Sequence, residues 1–444
     1  MLEQFPGHRF AGITEPERLG LGVEENANVL HRFAFLERNL LNIAAARLLS
    51  TPEWEIKFML GRHLYEDAEH HNSLRTRITE LRRSDRSVDK CPDPTLQILI
   101  DEAIRSEDTL ELLVAIYRVL KPALRDAYQR HLKLINPLVD YPTSRALRFI
   151  LPEEEEHIEL GNRFLGDWLN GEENVKKASE WENHLRACLS AAGGVAGEIP
   201  QDDRPPLPQL RSDGSPWQIP LESGRDARFK VSIPKTPTTE TLPHGDSTRE
   251  GLEQMMWVRF HEMSPAETVG AILYMEKGHP WRFYLDLARH CWDEVRHAAF
   301  GQAALQAEGI DITRNPNWTG FAEMALHSMN PMDAYAHLTV AIEQAAMKYP
   351  PGKRQEYEFC RDTAKHPLMA LYQDYDWADE VNHSQFGQEW IIKHEFDGDR
   401  SKAIAKGQET IQRRAEFFSQ YIDQGIPPDP ITSKGFPKGS AAGY

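Results

Sequence analysis

Cysteine is scarce in this chain: four residues in 444, Cys91, Cys188, Cys291 and Cys360, with no pair spaced as Cys-x-x-Cys. That argues against a disulfide framework, a zinc ribbon or a rubredoxin-type iron centre. Basic charge is short too. Lys and Arg number 51 against 68 Asp and Glu, a formal net charge of −17, so no basic face for nucleic acid or an anionic membrane is expected. Long apolar runs are missing, and nothing approaches transmembrane length. The start, "MLEQFPGHRFAG", has neither the basic nor the apolar region of a secretory signal. A soluble cytoplasmic protein is the expectation. Strand-like segments are few, and "ARFKVSIP", Ala227 to Pro234, is the best of them. No flavin or nicotinamide fingerprint is visible.

What is present is helical spacing. Hydrophobic residues make up 40% and charged residues 27%, and apolar positions recur at intervals of three and four. Between residues 195 and 247 the composition shifts to Pro, Gly, Asp and Ser, as in "QDDRPPLPQLRSDGSPWQIP", which reads as a linker or an extended surface arm. The expected organisation is all-α: a first bundle over 1–194, the linker over 195–247, a second bundle over 248–426 and a tail over 427–444.

The two halves repeat one another. "GRHLYEDAEH", ending at His70, aligns without a gap with "ARHCWDEVRH", ending at His297. "VAIY", ending at Tyr117, aligns with "VAIE", ending at Glu343, and from each it is 37 residues to Glu154 and to Glu380. Both of those glutamates stand three before a histidine, His157 and His383, as Glu294 stands three before His297. Upstream, "HRFAFLE", ending at Glu37, is set against "HEMSPAE", ending at Glu267. Glycine follows the histidine by four at Gly161, Gly301 and Gly387, so a close helix crossing is expected there. "EKGH", Glu276 to His279, has the same spacing but runs into Gly278 and Pro280, where a helix stops.

The spacing in the second half converges on one level of a bundle. Glu267 lies 11 residues before Gly278 and Glu294 lies 14 after Pro280. At about 1.5 Å per residue both sit roughly 17–20 Å from the turn, facing one another in an antiparallel pair. Glu294 and His297, and Glu380 and His383, are i and i+3 on one face. Four carboxylates and two imidazoles then share a core. Buried without partners they are costly, and divalent cations remove that cost.

This pattern resembles the ferritin-like di-iron carboxylate superfamily, in which two helices each give a Glu and two others each give Glu-x-x-His. "DEVRH" is similar to the signature of bacterial di-iron monooxygenases. The resemblance implies two tandem ferritin-like four-helix bundles, each with an extra C-terminal helix. It implies a ligand set of Glu267, Glu294, His297, Glu343, Glu380 and His383, with Glu294 and Glu380 bridging two iron ions at the catalytic centre. Asp293 and Asp379 would bond to ligand histidines. His290, one turn before Glu294, is either another such support or a further ligand. Manganese or a mixed manganese–iron pair uses the same ligands.

The first half departs from this set. Its matching positions are Glu37, Asp67, His70, Tyr117, Glu154 and His157, with Glu66 and Glu153 in place of the supporting aspartates. A terminal carboxylate has become Tyr117, and Pro152 is expected to kink or start a helix. A degenerate copy of the site is the expectation, with a second, different metal site as the rival. For the second half the resemblance implies a non-haem di-iron oxidase or oxygenase. It would use dioxygen to hydroxylate, N-oxygenate, desaturate or cleave a small organic substrate, with electrons from an external reductase or ferredoxin. The alternative is a ferritin-like structural or interaction protein with a non-catalytic metal. Trp292, Trp377, Tyr372, Tyr375 and Met347 are expected near the ligands, in an apolar surrounding.

Overall fold

The computed structural model describes residues 10–234, 247–349 and 352–422. The expected tail lies outside these residues, as does part of the expected linker. The chain is mostly helical, and the strands among the described residues are two pairs of residues, Val231–Ser232 and Asn317–Trp318, paired in parallel. The strand expected over Ala227–Pro234 therefore shrinks to two residues. No helix among the described residues is long and apolar enough to cross a membrane.

The chain divides into two compact units, and the division is not the sequential one. The first comprises Met1–Ile43 and Glu66–Gln218, the second Ala44–Tyr65 and Ile219–Tyr444. Over its described residues, 195–234, the segment read as a linker is divided between them and fastened to each. In the first unit Arg211 lies over the Trp181 ring at 3.8 Å and pairs with Glu111 at 2.6 Å. In the second, the Gly224 N–H donates to the Leu49 carbonyl at 2.8 Å, and Arg225 reaches Glu267. Proline-rich composition thus marks extended backbone here, held by side-chain hydrogen bonds rather than left as a free tether.

In the first unit the site-bearing residues come from four helical segments. Val23–Leu48 carries Glu37, and Trp54–Glu80 carries Asp67 and His70. A helix opening at Thr109, capped by Asp108 accepting from the Glu111 N–H at 2.9 Å, runs through a π-helical stretch, Ala115–Leu120, into Lys121–Leu134. Tyr141–Trp168 carries Glu154 and His157. Pro152 lies inside this last helix and does not start it. It sits on the exposed side, one turn after the exposed Arg148, so water can satisfy the Arg148 carbonyl that loses its donor.

The second unit repeats the plan with one break. Ser247–Phe260 stops, His261 and Glu262 form a turn, and Met263–Met275 continues. Trp281–Ala307 follows Pro280 and carries Glu294 and His297. A helix capped by Asn330, whose side chain accepts from the Asp333 N–H at 2.8 Å, enters a π-helical stretch over His337–Glu343. Pro367–Phe386 carries Glu380 and His383. The wide turns fall at matching places, around Tyr117 and Glu343. Such turns insert a residue into the helix and re-aim the side chains there.

The three glycines do different things. A Cβ at Gly301 would stand 2.0 Å from the Phe260 nitrogen, so here backbones do touch, at the edge of the break that holds Glu262. At Gly161 and Gly387 the neighbours are side chains instead, the Tyr117 ring at 2.1 Å and Thr339 at 2.7 Å. In both cases the missing side chain makes room for the π-helical stretch.

Candidate metal centre

In the second unit, buried His and carboxylate donors form two groups that can each hold a metal ion. One is His290, Glu294, Glu343 and His383; the other is Glu262, His297, Asp376 and Glu380. Within each, one ligand atom per residue lies within 4.8 Å of all the others. In the first group His290 Nε2 is 3.0 Å from Glu343 Oε1 and 3.4 Å from Glu294 Oε1. His383 Nδ1 is 3.6 Å from both carboxylates, and its ring stacks on His290 at 3.8 Å. In the second, His297 Nδ1 is 3.5 Å from Glu262 and 3.5 Å from Asp376. Glu294 stands between the groups: Oε1 faces His290 and His383, while Oε2 lies 3.9 Å from His297 Nδ1.

The histidines are pinned from behind. His297 Nε2 is 3.2 Å from Asp379 and His383 Nε2 is 3.4 Å from Asp293, so each aspartate serves the histidine of the other helix. Arg296 bonds to both aspartates, and Arg289 pairs with Asp293 at 2.8 Å. A histidine that gives its Nε2 proton to a carboxylate presents a bare Nδ1 lone pair. His297 Nδ1 and His383 Nδ1 are buried and have no hydrogen-bond partner among the described residues; the same holds for both oxygens of Glu294 and of Glu262, although Arg259 pairs with Glu262 Oε1 at 3.0 Å. Buried donor atoms that converge in this way without hydrogen bonds can hold cations.

The electrostatics agree. Burial pushes the Glu262 carboxyl up to about 8, against the pull of Arg259 and Lys353. Burial works hardest to raise Glu380, but Lys353, with His383 and His297, holds the group down at about 2. Burial disfavours charge on His297, yet Asp379, Asp376 and Glu262 carry it up to about 9. Without a metal this cluster retains protons on its imidazoles, and a cation entering it would release them.

Glu267 is a correction. It is buried in neither group: its carboxylate is held by Lys57 at 2.7 Å, Arg225 at 2.6 Å and Ser223 at 3.0 Å. The turn at His261–Glu262 interrupts the helix, so the carboxylate that reaches His297 is Glu262, five residues earlier. Glu262 lies 35 residues before His297, nearer than Glu267, at 30, to the 33 that separate Glu37 from His70. Asp376 also escaped the sequence reading, although it precedes Glu380 by one turn as His290 precedes Glu294. His290 falls among the donors themselves. Of the aromatic residues expected near the ligands, Trp292, Tyr372 and Trp377 are half-buried and Tyr375 is exposed. Replacing Glu267 with glutamine is expected to cost about 2 kcal/mol by weakening charged hydrogen bonds to Lys57 and Arg225, and to leave cation affinity unchanged. Denaturant unfolding alongside a metal titration checks both halves of that expectation.

The first unit brings Glu37, Asp67, His70 and Glu154 into one buried group. His70 Nδ1 is 3.4 Å from Glu37 and 3.4 Å from Glu154, and its Nε2 is 2.8 Å from Glu153. His157 Nε2 is 2.6 Å from Glu66, repeating the exchange of supports between helices. The Tyr117 ring packs on Gly161. Lys121, four residues further on, inserts its ammonium 2.6 Å from Asp67 and 2.7 Å from Glu154.

No protein-family model, no curated protein and no solved structure matches this chain.

Proposed function

We propose that the second unit is a non-haem di-iron oxidase or oxygenase of ferritin-like architecture that uses dioxygen to oxidise a small organic molecule. The observation that carries this reading is Glu294. It is fully buried, both oxygens lack a hydrogen-bond partner, and each faces a separate set of histidine and carboxylate donors. Three helical segments and the turn at His261–Glu262 supply those donors, near to the ferritin-like plan of four helices. Iron at the two positions would supply the redox chemistry of oxygen reduction; manganese suits the same donors. Electrons would come from an external donor such as a reductase or ferredoxin.

The chain's own residues prepare the site. Asp293 and Asp379 hold His383 and His297 in the tautomer whose Nδ1 points inward. Arg289 and Arg296 balance those two aspartates, so they do not add negative charge to the cluster. His290 needs its Nε2 bare to serve a cation, which places its proton on Nδ1, 3.3 Å from the Tyr335 hydroxyl oxygen that accepts it. Every donor is buried, which excludes bulk water and strengthens each of these interactions.

The experiment is oxygen uptake by the reduced, iron-loaded protein, with two irons in the second unit. Uptake that scales with iron content supports the reading. Iron that binds but never consumes oxygen, whatever reductant and substrate are supplied, would favour the second reading, a ferritin-like structural or interaction protein. The buried Lys353 and Lys121 speak for that alternative, because they neutralise part of the carboxylate charge without any metal.

A further inference from the structure

The two donor groups of the second unit are not equivalent. In the first, the positive partners of the carboxylates are imidazoles. In the second, Arg259 pairs with Glu262 Oε1 at 3.0 Å and with Asp376 Oδ1, and Lys353 places its Nζ 2.9 Å from Glu380 Oε1 and 3.1 Å from Asp376 Oδ2, between the two carboxylates of that helix. Its side chain is only 3% exposed, and both carboxylates belong to the group. A divalent cation on Glu262, His297, Asp376 and Glu380 would bind these carboxylates at about 2.0–2.2 Å. An ammonium kept at hydrogen-bond distance from the same oxygens would then lie beside a doubly charged ion in a buried site. Lysine and metal are competitors for one place.

The first unit meets the same charge problem in the same way, with a different residue. Lys121 bridges Asp67 and Glu154, which align with Glu294 and Glu380. In the repeat, however, Lys121 aligns with Met347, not with Lys353. Lys121 follows a π-helical stretch, whereas Lys353 opens the short helix Lys353–Glu358. Two unrelated positions thus deliver an ammonium to a buried carboxylate pair.

We propose that Lys353, the cation that Asp376 and Glu380 share, is the one a metal must displace from the Glu262, His297, Asp376 and Glu380 group, while Arg259 stays on Glu262 and Asp376, so that the second unit loads in order. The first divalent cation enters at His290, Glu294, Glu343 and His383, and a second enters only by displacing the Lys353 ammonium. This rests on the metal-centre reading above and adds to it a loading sequence set by the protein.

The test is an anaerobic Mn(II) titration of the full chain, following free and bound Mn(II) by electron paramagnetic resonance. It compares wild type with Lys353→Met and Lys353→Arg. Cations held by the first unit are common to all three and subtract out. The expected wild-type result is one tight, magnetically isolated ion in the second unit and a second at least ~10-fold weaker. In Lys353→Met the second ion tightens at least ~10-fold, the first is unchanged, and the pair becomes exchange-coupled. Lys353→Arg keeps the charge and therefore keeps the weak second ion. If Lys353→Met folds only when Mn(II) is present, that dependence supports the proposal, because the cation then does the lysine's work. An unchanged or weakened second ion in Lys353→Met, a second ion as tight in Lys353→Arg as in Lys353→Met, or no binding at all would overturn it. None of these readouts uses turnover: ordered Mn(II) loading with no oxygen uptake by the iron form would remove the oxidase reading and leave this one standing.

Discussion

Glutamine at position 294 is expected to abolish paired cation binding in the second unit while leaving the cation-free protein at least as stable as wild type. The two oxygens of Glu294 face the two donor groups separately. Glutamine keeps its volume but has a single acceptor oxygen and no charge. Loss of a partner behind a ligand costs roughly 10–100-fold in affinity, and loss of the bridging ligand itself should exceed that. The stability effect has the opposite sign. Both Glu294 oxygens are buried without hydrogen bonds, so in the cation-free site the substitution breaks none and leaves one carboxylate fewer to be kept from water. Ligand linkage gives a wild-type protein at 1,000 times its dissociation constant about 4 kcal/mol of added stability, and most of the second unit's share should vanish. Thermal unfolding with and without Mn(II), on wild type and Glu294→Gln, reads both signs at once. A variant that keeps the full metal-induced rise in Tm would remove Glu294 from the centre.

Lys121→Met should be the most damaging single change in the first unit. The ammonium is fully buried between Asp67 and Glu154, with Glu37 in the same group. Burial disfavours its charge, but the three carboxylates win and hold its pKa above the ordinary lysine value. Asp67, by contrast, is pushed up to about 8, chiefly by burial, with Lys121 pulling against it. Removing one partner of such a buried pair costs about 3–5 kcal/mol, because the remaining charges stay behind. A divalent cation can replace the lost charge, so Mn(II) should restore more stability to Lys121→Met than it adds to wild type. Denaturant unfolding with and without Mn(II) measures this. Wild-type stability in the variant, or a loss that no divalent cation repairs, would show that Lys121 does not stand in a cation's place.

Much of the candidate site is legible in the sequence, and the reason is periodicity. A helix fixes the direction of i and i+3 side chains, so Glu294 with His297, and Glu380 with His383, had to project together. The aligned second copy made chance a poor account of them. Asp293 and Asp379, one residue before each glutamate, follow from the same geometry. Asp376 was within reach of that argument as well, since it stands to Glu380 as His290 does to Glu294.

The misses share one physical cause. Glu262 reaches His297 because the helix stops after Phe260, and the stop is held by the bare backbone of Gly301 against the Phe260 nitrogen. No periodic argument sees a break that a distant glycine creates. Lys353 and Lys121 were equally invisible: a lysine is ordinarily a solvated residue, and only the path of the chain decides that these two ammoniums end among carboxylates. The unit boundary belongs to the same class, because composition cannot say that Ala44–Tyr65 joins the second unit rather than the first. The sequence by itself therefore determined the helical class, the repeat and most of the donors, since all three are local and periodic. The tertiary structure alone decided which carboxylate joins the second donor group, that Glu267 is tied instead to Lys57 and Arg225, and that a lysine lies among the carboxylates of that group. Those outcomes depend on where helices stop and which buried charges meet, which are properties of packing between segments far apart in the chain.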